Sequence, residues 1–274
     1  MSLMTNRSLQ KRRFRSVSIF WLLPNMLTIS GFVSGLTALR FALDGRWAGV
    51  IVLIAVAAVF DALDGRTARR FKTQSAFGAA LDSLSDLVVF GVVPALCLFI
   101  WALQDSGNIA WAATLFYVVS IALRLARFDS ELPNPPDFTA NYFTGIPAPA
   151  AGFLVLMPIV IDLQFGQEVV RQALYVSGWL VLIGAGAVST LPTFAGKKLK
   201  LPVDTVLPVL ALVGLVGAAI VTEPWLTYLV VATVYVISLP ISALRFAREN
   251  QPRQRLTPSV AKAVLSVRQT LAVK

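Results

Sequence analysis

Between Phe60 and Asp86 four carboxylates stand on apolar ground: Asp61, Asp64, Asp82 and Asp86. The first two are spaced i, i+3 and the last two i, i+4, so each pair shares one face of a helix. Apolar runs flank the stretch, Val50–Phe60 before it and Leu87–Ile100 after it. Two acidic faces are therefore expected at the ends of two hydrophobic helices joined by a short basic turn. Acids at a membrane boundary are costly unless something neutralises them. Two divalent cations would balance the four charges, and all-oxygen ligation suits a hard ion, Mg²⁺ or Mn²⁺. Paired ions of this kind serve in-line phosphoryl displacement by holding attacking and leaving oxygens. Gly65, Ala68 and Gly78 leave room for a bulky ligand beside the acids, and Arg66, Arg69, Arg70 and Lys72 bring positive charge for phosphate.

The elements that must carry these residues are membrane spans. The 274-residue chain is 57% hydrophobic and only 14% charged, well below the charged share of a soluble domain. Long continuous apolar runs must be helical in lipid, and their lack of alternation excludes a β-barrel. The expected fold is all-α: a polytopic membrane helical bundle of about eight transmembrane helices, near 24–43, 47–66, 76–103, 109–128, 146–163, 169–190, 202–221 and 225–246. Pro94, Pro158, Pro208 and Pro240 fall inside spans and are expected to kink them. With the N-terminus inside, 21 of the 24 Lys and Arg fall on inside segments, which predicts N-in/C-in topology and a carboxylate cluster facing the cytoplasm.

Three segments follow from this reading. Residues 1–23 form a basic, amphipathic interfacial segment or a basic arm, drawn to anionic lipid. Residues 24–246 form the membrane domain, and 247–274 a basic tail. The N-terminal basic run precedes only a short apolar stretch broken at Pro24-Asn25, unlike a cleavable signal. The single Cys97 reads as core. The polar stretch 129–144 is either a connector or a segment able to close over a site.

The chain has no His, and nothing resembles a Ser or Cys activated by a neighbouring base. Direct transfer between two bound substrates is thus favoured over a covalent intermediate. Arg124 and Arg127, i, i+3 at the end of the fourth span, form a cationic fork suited to a carboxylate, or else ordinary positive-inside anchors. Tyr142, Thr144 and Gly145 would complete an acceptor pocket beside them.

The pattern D-x2-D-G-x2-A-R-x8-G-x3-D-x3-D runs from Asp61 to Asp86 and resembles, at every fixed position, the signature of the CDP-alcohol phosphotransferase family. The resemblance implies that the metals hold the diphosphate of a CDP-linked lipid, that an alcohol attacks the lipid-bound phosphorus and that CMP leaves. It implies Asp86 as the base, metal ligation by Asp61, Asp64, Asp82 and Asp86, with Asp82 bridging both ions, and nucleotide contacts from Asp61, Gly65, Ala68, Arg69 and Gly78. Asn25 and Thr28, which open the first span on the same side, are assigned to the CDP group, with capping of the span as the alternative. Homodimers in the membrane are also implied.

Wider stretches are similar to the serine-using branch of that family: P-N-M-L-T, 77–95, A-L-R-L-A-R-F-D (122–129), Y-F-T-G-I-P-A-P-A-A-G (142–152) and V-S-T-L-P-T-F (188–194) with K-K-L-K (197–200). One departure is Val89, where that branch is expected to carry Ser. The implied reaction moves the phosphatidyl group of CDP-diacylglycerol to L-serine, giving phosphatidylserine and CMP. The expected setting is a bacterial inner (cell) membrane, with membrane lipids as partners and no nucleic acid. Glycerol 3-phosphate, inositol phosphate or choline remain as other acceptors, the first two calling for a second cationic cluster such as Lys197, Lys198 and Lys200. A transporter using intramembrane carboxylates, or a non-catalytic scaffold, would be different classes of protein; the first predicts acids at mid-bilayer.

Overall fold

The structure, a computed structural model, describes residues 19–71, 75–130, 142–190, 192–194, 205–242 and 244. The N-terminal arm, Lys72, the loop from 131 to 141, Lys197, Lys198 and Lys200, and the tail from 247 lie outside the described residues.

Helix α1 (Ile19–Leu43) and helix α2 (Trp47–Phe71) form an antiparallel hairpin. Its turn closes at Gly45, whose φ of 69° suits glycine, and Arg46 N–H donates to Phe41 O at 2.8 Å. Pro24 lies inside α1 and does not end it, contrary to the expected break at Pro24-Asn25. It sits near the first turn, where few carbonyls lose a partner to a missing N–H. Helix α2 runs five residues past its expected end, so Arg66, Arg69 and Arg70 are helical and not part of a turn. R-T-A-R-R has good helix propensity, and cations favour a helix C-terminus.

The third span, Ala76–Leu103, is continuous but not uniform. It comprises α3 (Ala76–Asp86), a π-helical turn (Leu87–Val92), α4 (Val93–Leu98) and a second π-helical turn (Phe99–Leu103). Pro94 has no N–H to give the carbonyl of Phe90 four residues back; the fully buried Tyr117 O–H donates to it instead at 2.8 Å. Close neighbours hold the first π turn. A Cβ on Gly35 of α1 would come within 2.8 Å of Val89, and one on Gly152 within 3.1 Å of Phe90.

Helix α5 (Gly107–Ser130) crosses back, and the next span is split into α6 (Ala148–Val155) and α7 (Met157–Phe165) just before Pro158. Helix α8 (Ala173–Val188) packs along α5. Helices α9 (Val206–Thr222) and α10 (Pro224–Ser242) complete the described bundle. Six described helices are long and apolar enough to cross a membrane; α8 and α9 stand where the sixth and seventh spans are expected and are shorter. The protein is an integral membrane helical bundle.

One addition was not foreseen. β1 (Tyr142–Thr144) and β2 (Pro192–Phe194) pair antiparallel, Phe143 opposite Thr193. Gly145, at φ 75°, follows β1, and a Cβ there would strike Ala187 O and approach Ser189 O within 2.8 Å. Only glycine allows the chain so close to the end of α8. The core itself lies where α1, the third span, α5, α6 and α8 meet, around Phe90, Leu98, Tyr117, Ile121, Leu154 and Leu180. Cys97 belongs to it.

Candidate active site

The acids lie near one end of the bundle. Asp61 and Asp64 come from the later turns of α2, Asp82 and Asp86 from α3 after its first turn. Ser75 starts α3: its side chain accepts the Gly78 N–H at 3.0 Å, which caps the helix. Carboxylate oxygens of Asp61, Asp64 and Asp82 gather within 4.8 Å of one another. Asp64 is buried at 4% exposure and accepts a hydrogen bond from Thr28 Oγ1 at 2.6 Å; the same hydroxyl lies 3.1 Å from Pro24 O. Thr28 thus joins α1 to the acid cluster and does not cap its own helix.

Asp86 lines the same narrow pocket as the triad, with Thr28, Gly31, Ala57, Ser85, Val89 and Phe90. Among the described residues no lining residue is cationic. Three convergent carboxylates, one oriented by a hydroxyl, match the donor set of a hard divalent ion, so the residues present fit such a group. Asp86 stands one turn beyond Asp82 and directly before the π turn, a distortion often found at functional sites. Arg124 of α5 is close enough to act electrostatically on Asp86. Ser83 Oγ donates to Asp129 Oδ1 at 3.1 Å, tying α3 to α5 at this end.

Beside the pocket opens a cavity of about 310 Å³. Asn25, Thr28, Gly65, Ala68, Arg69 and Gly78 all line it, together with Asp64, Asp82, Pro24, Ser75 and Ala79. A Cβ on Gly78 would come 3.0 Å from Asn25 Oδ1 and narrow the cavity. Every residue expected to contact nucleotide except Asp61 therefore faces one space, and Asp61 lines the adjoining pocket.

The expected acceptor residues are less uniform. Arg124 is near Asp86, whereas Arg127 NH1 donates to Val188 O at 3.1 Å, answering a carbonyl at the end of α8. Gly145 abuts that same helix end, and Tyr142 and Thr144 are the two ends of β1. Val89, at the departure from the serine-using pattern, puts its methyl groups against Gly35 and a wall on the acid pocket. Sequence reasoning missed Ser75 and Ser85. The first carries an N-cap signal before A-F-G-A-A-L; the second, between Asp82 and Asp86, carries none.

A family model described as CDP-alcohol phosphatidyltransferase matches residues 21–191, and a second, CDP-alcohol phosphatidyltransferase 2, matches 204–240. The chain is similar to CDP-diacylglycerol–serine O-phosphatidyltransferase of Mycobacterium tuberculosis, 32% identical over 245 residues that cover 85% of each chain. It is 34% identical to the protein of that name from Mycobacterium leprae over 232 residues, 84% of this chain and 75% of the other. The Helicobacter pylori protein of that name is 32% identical over 203 residues, 73% of this chain and 83% of the other.

Proposed function

The chain belongs to the CDP-alcohol phosphatidyltransferase family, and from that membership we propose that it transfers the phosphatidyl group of CDP-diacylglycerol to L-serine, releasing CMP. The observation that carries the chemistry is the convergence of Asp61, Asp64 and Asp82 beside a cavity lined by small residues and Arg69. The names of its relatives support serine as acceptor.

Asp61, Asp64, Asp82 and Asp86 would hold two divalent ions, Mg²⁺ or Mn²⁺. When bound, the ions would neutralise diphosphate oxygens and the charge developing on the leaving CMP. The protein's own contributions are positional. Thr28 holds Asp64 in one rotamer by donating to Oδ2. Gly65, Ala68 and Gly78 keep the cavity open for the cytidine group, and Arg69 at its rim meets phosphate. Asp86 takes the proton from the serine hydroxyl as its oxygen attacks the phosphatidyl phosphorus. The bond from that phosphorus to the CMP oxygen breaks, and CMP carries away the electron pair. Arg124, within electrostatic reach of Asp86, would pair with the serine carboxylate.

The 21-to-3 distribution of cations supports an N-in/C-in arrangement in a cell membrane with the site open to the cytoplasm. The family supports a homodimer. The membrane domain is assigned to 24–246.

Purified protein tests the reading through CMP release, with CDP-diacylglycerol, Mg²⁺ or Mn²⁺, and L-serine, glycerol 3-phosphate, inositol phosphate or choline in turn. Release is expected with L-serine alone, to vanish with EDTA, and to fall about a thousandfold in Asp86→Asn. Release with a different acceptor would replace serine, and no release with any would overturn the enzyme reading.

A further inference from the structure

Tyr235 of α10 lies well beyond the carboxylate motif. Its hydroxyl oxygen is buried with no hydrogen-bond partner among the described residues. A phenol O–H withdrawn from water and left unanswered is costly, and in a native fold it calls for a reason. The two hydroxyls spaced seven residues to either side lie on the same face of α10. Tyr228 donates to Phe153 O, with its ring 5.9 Å from that of Phe153, and Ser242 is 1% exposed. This row is a polar stripe on an apolar helix, and it faces the bundle. At its middle, Tyr235 lies within electrostatic reach of Arg124, which in turn acts on Asp86.

We propose that Tyr235 is a specificity-determining residue of the acceptor pocket, its hydroxyl donating to the carboxylate of an amino-acid acceptor that pairs with Arg124. The inference rests on the acceptor reading above. A carboxylate has more lone pairs than one guanidinium need fill, and an uncharged phenol adds a directed donor without a second cation beside Asp86. Gripped at its carboxylate, the acceptor presents its own hydroxyl to Asp86. An acceptor lacking the carboxylate leaves the phenol unanswered, which is how a buried donor rejects the wrong ligand.

The test compares Tyr235→Phe and Tyr228→Phe in the full chain, with CMP release measured against L-serine and against ethanolamine, which keeps the hydroxyl and the amine and has no group in place of the carboxylate. Tyr235→Phe should raise the KM for L-serine about tenfold, leave the KM for CDP-diacylglycerol unchanged and narrow the preference for serine over ethanolamine. It should melt no lower than the unaltered protein, because no internal bond is lost, whereas Tyr228→Phe should melt lower. An unchanged serine KM, or an equal loss with both acceptors, overturns the proposal while leaving the acceptor reading intact. No CMP release by the unaltered protein with L-serine overturns the acceptor reading, and the proposal with it.

Discussion

Two regions of the membrane bundle handle buried polar groups in opposite ways. At the break between α6 and α7, Pro158 has no N–H to give Leu154 O, and Trp179 Nε1 of α8 donates to that carbonyl at 2.8 Å. Phe153 O accepts from Leu156 N–H at 3.1 Å and from the Tyr228 hydroxyl of α10. The break is answered from within the chain, as lipid requires. In the acid pocket three carboxylates converge with like sign, and the Thr28 hydroxyl is one of the few donors facing them. Polar groups that find partners inside the chain hold the fold together; those gathered with one charge wait for a ligand of the other.

The contrast breaks if neutralising an acid harms the fold. Asp82→Asn is expected to lower CMP release at least about a hundredfold. Measured in chelator, its melting temperature should hold or rise, because a like-charge contact is removed; a large fall would mean the acids serve structure. Thr28→Val keeps shape and removes the donor to Asp64. The divalent-ion concentration for half-maximal CMP release should rise about 10- to 100-fold, with the rate recovered at saturating ion. A loss that no ion concentration restores would place Thr28 in the nucleotide site instead. The smallest effect is expected at the answered break. Trp179→Phe should cost about 1 kcal/mol of stability in thermal unfolding and leave the kinetics alone. A change in kcat there would couple the break to the site.

The contrast also marks how far the chain could be read directly. That Asp61, Asp64 and Asp82 converge was decided by packing. The helix faces of the acid motif were legible, because i, i+3 and i, i+4 spacings set which side chains share a face before any partner is known. The same holds for Gly65, Ala68 and Gly78, which share the cavity that the motif implies. Two distant stretches with the serine-branch pattern, 142–152 and 188–194, turned out to contribute the two strands of the ribbon. Nothing in their local composition pairs them. Arg127 reads like half of a carboxylate fork, yet it joins Val188 O. A guanidinium at a helix end suits a carbonyl as well as a ligand, and spacing does not choose between them.

By itself, then, the amino-acid sequence determined a bundle of membrane helices, an acid pair on each of two of them, and the small residues beside these pairs. These follow from backbone satisfaction in lipid and from helical periodicity, both local rules. Only the tertiary structure decided which helix faces meet: Thr28 on Asp64, Tyr117 on Phe90 O, Arg124 near Asp86 and Tyr235 near Arg124. A helix apolar on every side does not announce its inward face, because lipid and protein interior reward the same residues. Contacts between such helices are settled by close packing and by the few polar groups that must find one another.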